Sequence, residues 1–176
     1  MNKGAVFWLT GLSGAGKTTI AKLVEEKLNE LPDVRVQLLD GDILRDVINS
    51  DLGFTKEDRF KQIQRGAFIA QLLMKQGVLV LCSFITPYRF MRDYCRQRID
   101  QFHEIYVKCP LEACIERDVK GLYKKAIDGE ITQFTGISDP YETPLQPDMM
   151  IETATEVPEV SAEKLFQFIR KQGYIS

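Results

Sequence analysis

Apolar residues along this chain fall into two alternating patterns. Short, mainly apolar runs occupy residues 5–9, 34–39 (interrupted by Arg35 and Gln37), 78–84 (with Ser83), 105–107 and 149–151. Between them, apolar positions recur every three or four residues, as in Ile20, Ala21, Leu23, Val24, Leu28 and Leu31. The first pattern predicts strands and the second predicts amphipathic helices, here over 18–31, about 56–75, 87–99, 111–119 and 161–171, the last ended by Gly173. Runs that are continuously rather than alternately apolar, as most of these are, point to strands buried on both faces, as in a parallel sheet. Alternation of the two kinds of element then predicts an α/β three-layer domain: a five-stranded parallel sheet with right-handed crossovers. One stretch breaks the rhythm. Residues 121–148 are rich in Lys, Gly, Asp, Thr and Pro and carry few periodic apolar side chains. A segment that long without a strand is usually functional or mobile, and we read about 117–141 as a lid.

Composition narrows the class. The 176 residues fit one domain, 1–176, with 44% hydrophobic residues and a net charge of −2. That balance argues against a nucleic-acid or membrane surface, either of which wants a concentrated basic excess. No apolar run reaches the length of a membrane span, and the first strand starts too early for a signal peptide, so a cytoplasmic location is expected. Cys82, Cys95, Cys109 and Cys114 form no C-x-x-C pair and His103 is the only histidine, which speaks against a zinc site. Cys82 and Cys109 read as buried thiols of apolar strands, and His103 as a surface or boundary residue beside a strand.

The chemistry starts between the first strand and first helix. Gly11-Leu12-Ser13-Gly14-Ala15-Gly16-Lys17-Thr18 is a complete G-x-x-x-x-G-K-[ST] loop in the strand-loop-helix context that the motif requires. Its glycines let backbone N–H groups turn inward, forming an anion nest at the positive end of a helix dipole. Lys17 supplies a charge for a β/γ-phosphate and the Thr18 hydroxyl can ligate Mg²⁺; Thr19 follows on the same turn. The pattern predicts a nucleoside triphosphate site.

Ligands of such sheets bind at the carboxyl ends of strands. The second run ends in Asp40-Gly41-Asp42, with Arg45 one turn on. One carboxylate suits the Mg²⁺ shell and the other suits a general base; Asp42 reads equally well as a helix N-cap before Ile43. The third run ends in Ser83-Phe84-Ile85-Thr86-Pro87-Tyr88-Arg89, an aromatic, a hydroxyl and an arginine that suit a base and an anion, or simply a helix start. Upstream, Asp51–Arg59 offers a loop with Phe54, a cap at Thr55 and a further arginine. The basic run from Arg117 to Lys125 serves either phosphates under a closing lid or a solvated helix face.

Together these segments resemble the adenylylsulfate (APS) kinase family over nearly the whole chain. The resemblance rests on GLSGAGKTT, LDGDILR, DLGFTKEDR, FITPYR, ERDVKGLYKKA and FTGISDPYE, the later blocks being far more specific than the phosphate loop. It implies a P-loop kinase that moves the γ-phosphate of ATP, with Mg²⁺, to the 3′-hydroxyl of adenosine 5′-phosphosulfate. It further implies Asp42 as the base and Asp40 as its partner toward the metal. Arg45, Phe54, Arg59, Gln62, Phe84, Ile85, Thr86, Pro87, Lys120, Leu122 and Phe134 match substrate positions, with Phe54 and Phe134 enclosing the adenine. Arg117, Lys120 and Lys124 fall in the lid over the ATP phosphates. A homodimer and an association with ATP sulfurylase are compatible with the resemblance.

Departures from the family pattern are few. Gln62 stands for the usual Asn, Gln64 for an Arg, and Thr86 for a Ser that is sometimes described as phosphorylatable; we place Thr86 with Lys17, Asp40 and Asp42 in the catalytic set and favour a substrate-binding role for it. The competing readings are another P-loop nucleotide kinase, a catalytically silent nucleotide-binding module, and a GTPase switch. The last has only Asp118-Val119-Lys120-Gly121 to support it, with no guanine-reading N-K-x-D after it.

Overall fold

The computed structural model describes residues 3–176. Five strands alternate with helices: β1 (Ala5–Thr10), β2 (Val36–Asp40), β3 (Leu79–Ser83), β4 (Phe102–Lys108) and β5 (Met149–Glu152). They form one wholly parallel sheet in the order β2-β3-β1-β4-β5. β1 is central and β3 flanks it, and every residue of both is buried. The edge strands β2 and β5 are only partly so. Helices α1 (Lys17–Asn29), α2 (Gly41–Val47), α3 (Lys56–Lys75), α4 (Arg89–Arg98), α5 (Leu111–Arg117), α6 (Leu122–Ile127) and α7 (Pro158–Lys171) complete the fold.

Alternate β1 side chains enter two separate cores. Ala5, Phe7 and Leu9 pack with Ile20, Val24 and Leu28 of α1 and Leu165 and Ile169 of α7. Val6 and Trp8 face the other way, onto Ile63, Ala67 and Ala70 of α3 and Met91 and Cys95 of α4. This is the expected three-layer arrangement. Apolar area buried on both faces is the main stabilising contribution, roughly 25 cal/mol per Å² removed from water.

Two helices lie outside the periodic pattern. α2 is short and follows the Asp40 strand tip, where polar chemistry masks its period. α6 falls inside the stretch read as a lid, and its Tyr123 and Ala126 are buried. The lid therefore has anchors that its composition hides. β4 is longer than its apolar centre because His103 and Glu104 are accommodated inside it. His103 is half-buried, its ring 5.1 Å from that of Phe7 and its Nε2 2.9 Å from the Tyr174 hydroxyl. α5 stops at Arg117 instead of reaching 119, since Asp118 turns to a φ of 23°. All four cysteines are buried free thiols, with Cys109 just beyond the end of β4.

Candidate active site

The carboxyl ends of β1, β2 and β3 open into one cavity of about 460 Å³, within the usual size of a small-molecule site. The phosphate loop forms one end of it. Gly16 precedes α1 with a φ of 102°, a conformation that glycine adopts without the Cβ clash of other residues. Lys17 folds back into the loop, its Nζ donating to the carbonyls of Gly11 (3.0 Å) and Leu12 (2.7 Å). Burial lowers its pKa to about 8, with Asp42 the largest opposing influence. Gly11, Leu12 and Ala15 shape the loop from behind. Ser13, Gly14, Gly16, Lys17, Thr18 and Thr19 line the cavity itself.

Two residues that the motif does not announce brace this loop. The Tyr123 hydroxyl donates to the Ser13 carbonyl at 2.8 Å, and the Thr153 hydroxyl to that of Ala15 at 2.7 Å. Neither residue carries a motif of its own; only the blank between β5 and α7 hints at Thr153. Arg117 lies outside the cavity lining and donates to the Thr153 carbonyl, so its link to the nucleotide end runs through that brace.

At the β2 tip the two aspartates divide their work. Asp40 Oδ1 accepts from the backbone N–H groups of Asp42 (2.9 Å) and Ile43 (3.2 Å), capping α2. Its Oδ2 accepts from the Thr18 hydroxyl at 2.6 Å, which also lies 2.8 Å from the Ser83 hydroxyl. The cap is thus Asp40, and the reading of Asp42 as an N-cap is corrected. Asp42 is left free to face the cavity, where Lys120 of the lid donates to its Oδ2. Thr18, Asp40 and Ser83 together present hard oxygen donors on one wall, a set that fits Mg²⁺. No group of three or more His, Cys, Asp or Glu side chains suited to a metal occurs among the described residues.

The far end of the cavity is aromatic and cationic. Arg45 lies over the Phe54 ring at 4.5 Å, and Arg59 sits 5.6 Å from the same ring. Neither guanidinium is ion-paired among the described residues. Arg45 donates to the Leu52 and Gly53 carbonyls and to Gln62, and Arg59 to the carbonyls of Phe54 and Gln133. Burial holds both below the ordinary arginine value. Two desolvated cations without a carboxylate are the protein half of an anion site. Gln62 also donates to the Gly41 carbonyl at 2.8 Å, so the longer amide spans Arg45 and the β2 tip.

The lid supplies the opposite wall: Val119, Lys120, Leu122 and Ile131 through Thr135, with Phe134 edge-on to Tyr123 at 5.0 Å. Thr135 is buried and its hydroxyl has no hydrogen-bond partner among the described residues. Phe84, Ile85, Thr86 and Pro87 complete the lining from the β3 tip. Phe84 stacks on Trp8 at 4.7 Å, and close contact between its ring and Gly41 and Gly66 leaves no room for a side chain at either position. The Thr86 hydroxyl accepts from Trp8 Nε1 at 2.8 Å, which ties that oxygen to the core while its own proton stays able to donate. Arg89, read as an anion clamp, instead donates to the Thr143 carbonyl. Lys124 and Lys125 are exposed on α6 and do not line the cavity. Asp118, the start of the switch-like D-x-x-G, caps α6 through the N–H groups of Tyr123 and Lys124.

A parallel sheet with a phosphate loop after its central strand defines the class: a P-loop phosphotransferase fold. Residues 3–152 match the adenylylsulphate kinase family model. The adenylyl-sulfate kinase of Halothermothrix orenii is 53% identical over 174 residues, covering 99% of this chain and 94% of its own. That of Rippkaea orientalis is 51% identical, covering 99% and 96%. Among solved structures, the Mycobacterium tuberculosis APS kinase CysC in complex with AMPPNP and APS superposes with a TM-score of 0.92 at 39% identity, covering 97% of this chain and 99% of that one. The chain belongs to the adenylylsulphate kinase family.

Proposed function

We propose that this chain transfers the γ-phosphate of ATP to the 3′-hydroxyl of adenosine 5′-phosphosulfate, giving 3′-phosphoadenosine 5′-phosphosulfate. The observation that carries the reading is the pair of arginines around Phe54, Arg59 buried and Arg45 half-buried, neither ion-paired among the described residues, in the same cavity as the phosphate loop. They suit an anionic nucleotide as acceptor, with its adenine between Phe54 and Phe134 and its phosphosulfate against Arg45 and Arg59.

In this reading the loop amides hold the ATP phosphates, and Lys17 leaves the Gly11 and Leu12 carbonyls to follow the transferring group. Thr18 and Asp40 would hold Mg²⁺, which neutralises phosphate charge when bound. Asp42, free of capping duty, accepts the proton of the attacking hydroxyl. Lys120 links that base to the lid, so closure and alignment of the acceptor are one event. Arg117 acts on the nucleotide end through Thr153, and Thr86 holds the acceptor wall through Trp8.

The test is ATP consumption with adenylylsulfate against a panel of nucleotides and small alcohols, with the product identified by mass. Turnover specific to adenylylsulfate is expected. Turnover of another acceptor alone would point to a different kinase, and none at all to a silent binding module.

A further inference from the structure

We infer that Arg92 is a positioning residue that joins the acceptor wall of the cavity to the downstream end of the lid; the inference rests on the function proposed above. Arg92 belongs to α4, lies outside the cavity lining and is 2% exposed. Its guanidinium spreads three ways. Nη1 donates to the Thr86 carbonyl at 2.6 Å, Nη2 donates to the Glu142 carbonyl, and Nε sits 3.0 Å from Glu104 Oε1 on β4. The planar fork of arginine suits this, since one rigid group aims its two arms at two carbonyls while its charge lies against the Glu104 carboxylate.

What is held in place matters. Thr86 has a φ of 47°, in the left-handed region that a β-branched residue rarely occupies. Such strain persists only where the surroundings over-determine it. Here Trp8 fixes the side chain and Arg92 fixes the carbonyl. On the other side, Glu142 directly follows the stretch read as a lid. Its N–H donates to the Pro87 carbonyl at 2.8 Å, and its carboxylate accepts from the Arg89 N–H at 2.7 Å. Tyr141 meets the Thr10 hydroxyl at 2.9 Å, and that hydroxyl bonds the Ile85 carbonyl at 2.7 Å. Residues 85–87 and 141–143 are therefore knit into one unit with Arg92 at its centre. Glu104 is steadied in turn by Arg96, which also bridges to Asp148. A lid whose exit is bonded to the acceptor wall cannot move without that wall sensing it.

Arg92→Lys keeps the charge beside Glu104 but gives up the planar, two-armed fork that reaches the Thr86 and Glu142 carbonyls from separate nitrogens. A second variant, Arg92→Met with Glu104→Met, removes the buried pair together, an exchange often neutral for stability where loss of one partner is not. Both are measured as full-length proteins beside the wild type. The expected result is a KM for adenylylsulfate raised about 10-fold or more, with the KM for ATP within about twofold, since displacement of an aligning group by an ångström can cost up to ~10²-fold. Trp8 is the sole tryptophan. Its emission should shift in both variants without ligand, because its indole partner Thr86 relaxes. If Arg92→Lys, folded, keeps the wild-type KM for adenylylsulfate, the inference is overturned, whatever the emission does. If the double variant fails to fold, Arg92→Lys decides alone. If the wild type itself does not turn over adenylylsulfate, the proposed function falls, and Trp8 emission then decides: a shift sustains the positioning role and an unchanged spectrum ends it.

Discussion

At the scale of single residues, the site is built from groups kept in unfavourable states until phosphate arrives. Lys17 is the clearest. Its folded pKa of about 8 lies below the ordinary 10.5 because burial strips water from the ammonium. The protonated lysine therefore opposes folding at neutral pH, and that penalty fades as pH rises through about 8 toward 10.5. Polyphosphate reverses the balance by favouring the charged form. ATP affinity should accordingly weaken as pH rises above about 8, with a proton taken up on binding. Calorimetry in buffers of different ionisation enthalpy would measure that uptake, and Lys17→Ala should abolish it. The same variant should lose kcat by about 10²–10³-fold or more while remaining folded, the loss typical of a preorganised contact to the transferring charge; a wild-type kcat would remove Lys17 from the chemistry. Asp42 separates two roles that the strand tip leaves entangled in the sequence. Because Asp40 performs the capping, Asp42→Asn should leave thermal stability unchanged and lower kcat by about 10²-fold, in line with general-base catalysis. A fall in melting temperature with kcat retained would return Asp42 to a structural role.

At the scale of elements, legibility followed periodicity. β1 and β3 are apolar up to their last residues, Thr10 and Ser83, and α1, α3 and α7 carry long amphipathic repeats, so packing and pattern agree there. α2 and α6 were not legible: each is short, and each is set by a local side-chain cap, Asp40 for one and Asp118 for the other, rather than by an apolar stripe. The strand-tip residues of the site could be read from the phosphate loop, the aspartate pair and the family resemblance. The braces Thr153 and Tyr123, and the bridge through Arg92, could not, since each acts through a carbonyl distant in sequence. The lid shows the consequence. Tyr123, Ala126 and Thr135 anchor it, while Val119 at 82% and Ile127 at 57% exposure contribute almost no burial. Phe134 and Ile137 add partly buried contacts with the core, so the weakest part is 128–132, whose exposed residues belong to the low-stability end of a protein. Hydrogen exchange should therefore find weak protection over 128–132 in the free protein, an intermediate level in α6, and strong protection throughout with ADP and adenylylsulfate. Equal protection in both states would make this segment a fixed wall.

At the scale of the whole molecule, the phosphate loop and the acceptor end are separate sites on one sheet edge, and the lid touches both. Tyr123 reaches Ser13 of the loop, Lys120 reaches Asp42 between the sites, and the Gln133 carbonyl receives Arg59 at the acceptor end. A ligand that orders the lid from one side lowers the cost of ordering it for the other, which is positive coupling without new contacts between ligands. The coupling is reciprocal by thermodynamic necessity. At 100 times its Kd, a single ligand stabilises the folded state by about 2.7 kcal/mol, a rise in melting temperature of roughly 5–10 °C for a chain of this size. With ADP and adenylylsulfate together, the rise should exceed the sum of the two separate rises. Each ligand should also lower the Kd of the other by the same factor. Scanning calorimetry with each ligand alone and with both provides the measurement. Additive shifts would mean that the two ends of the cavity bind independently, and that the lid does not join them.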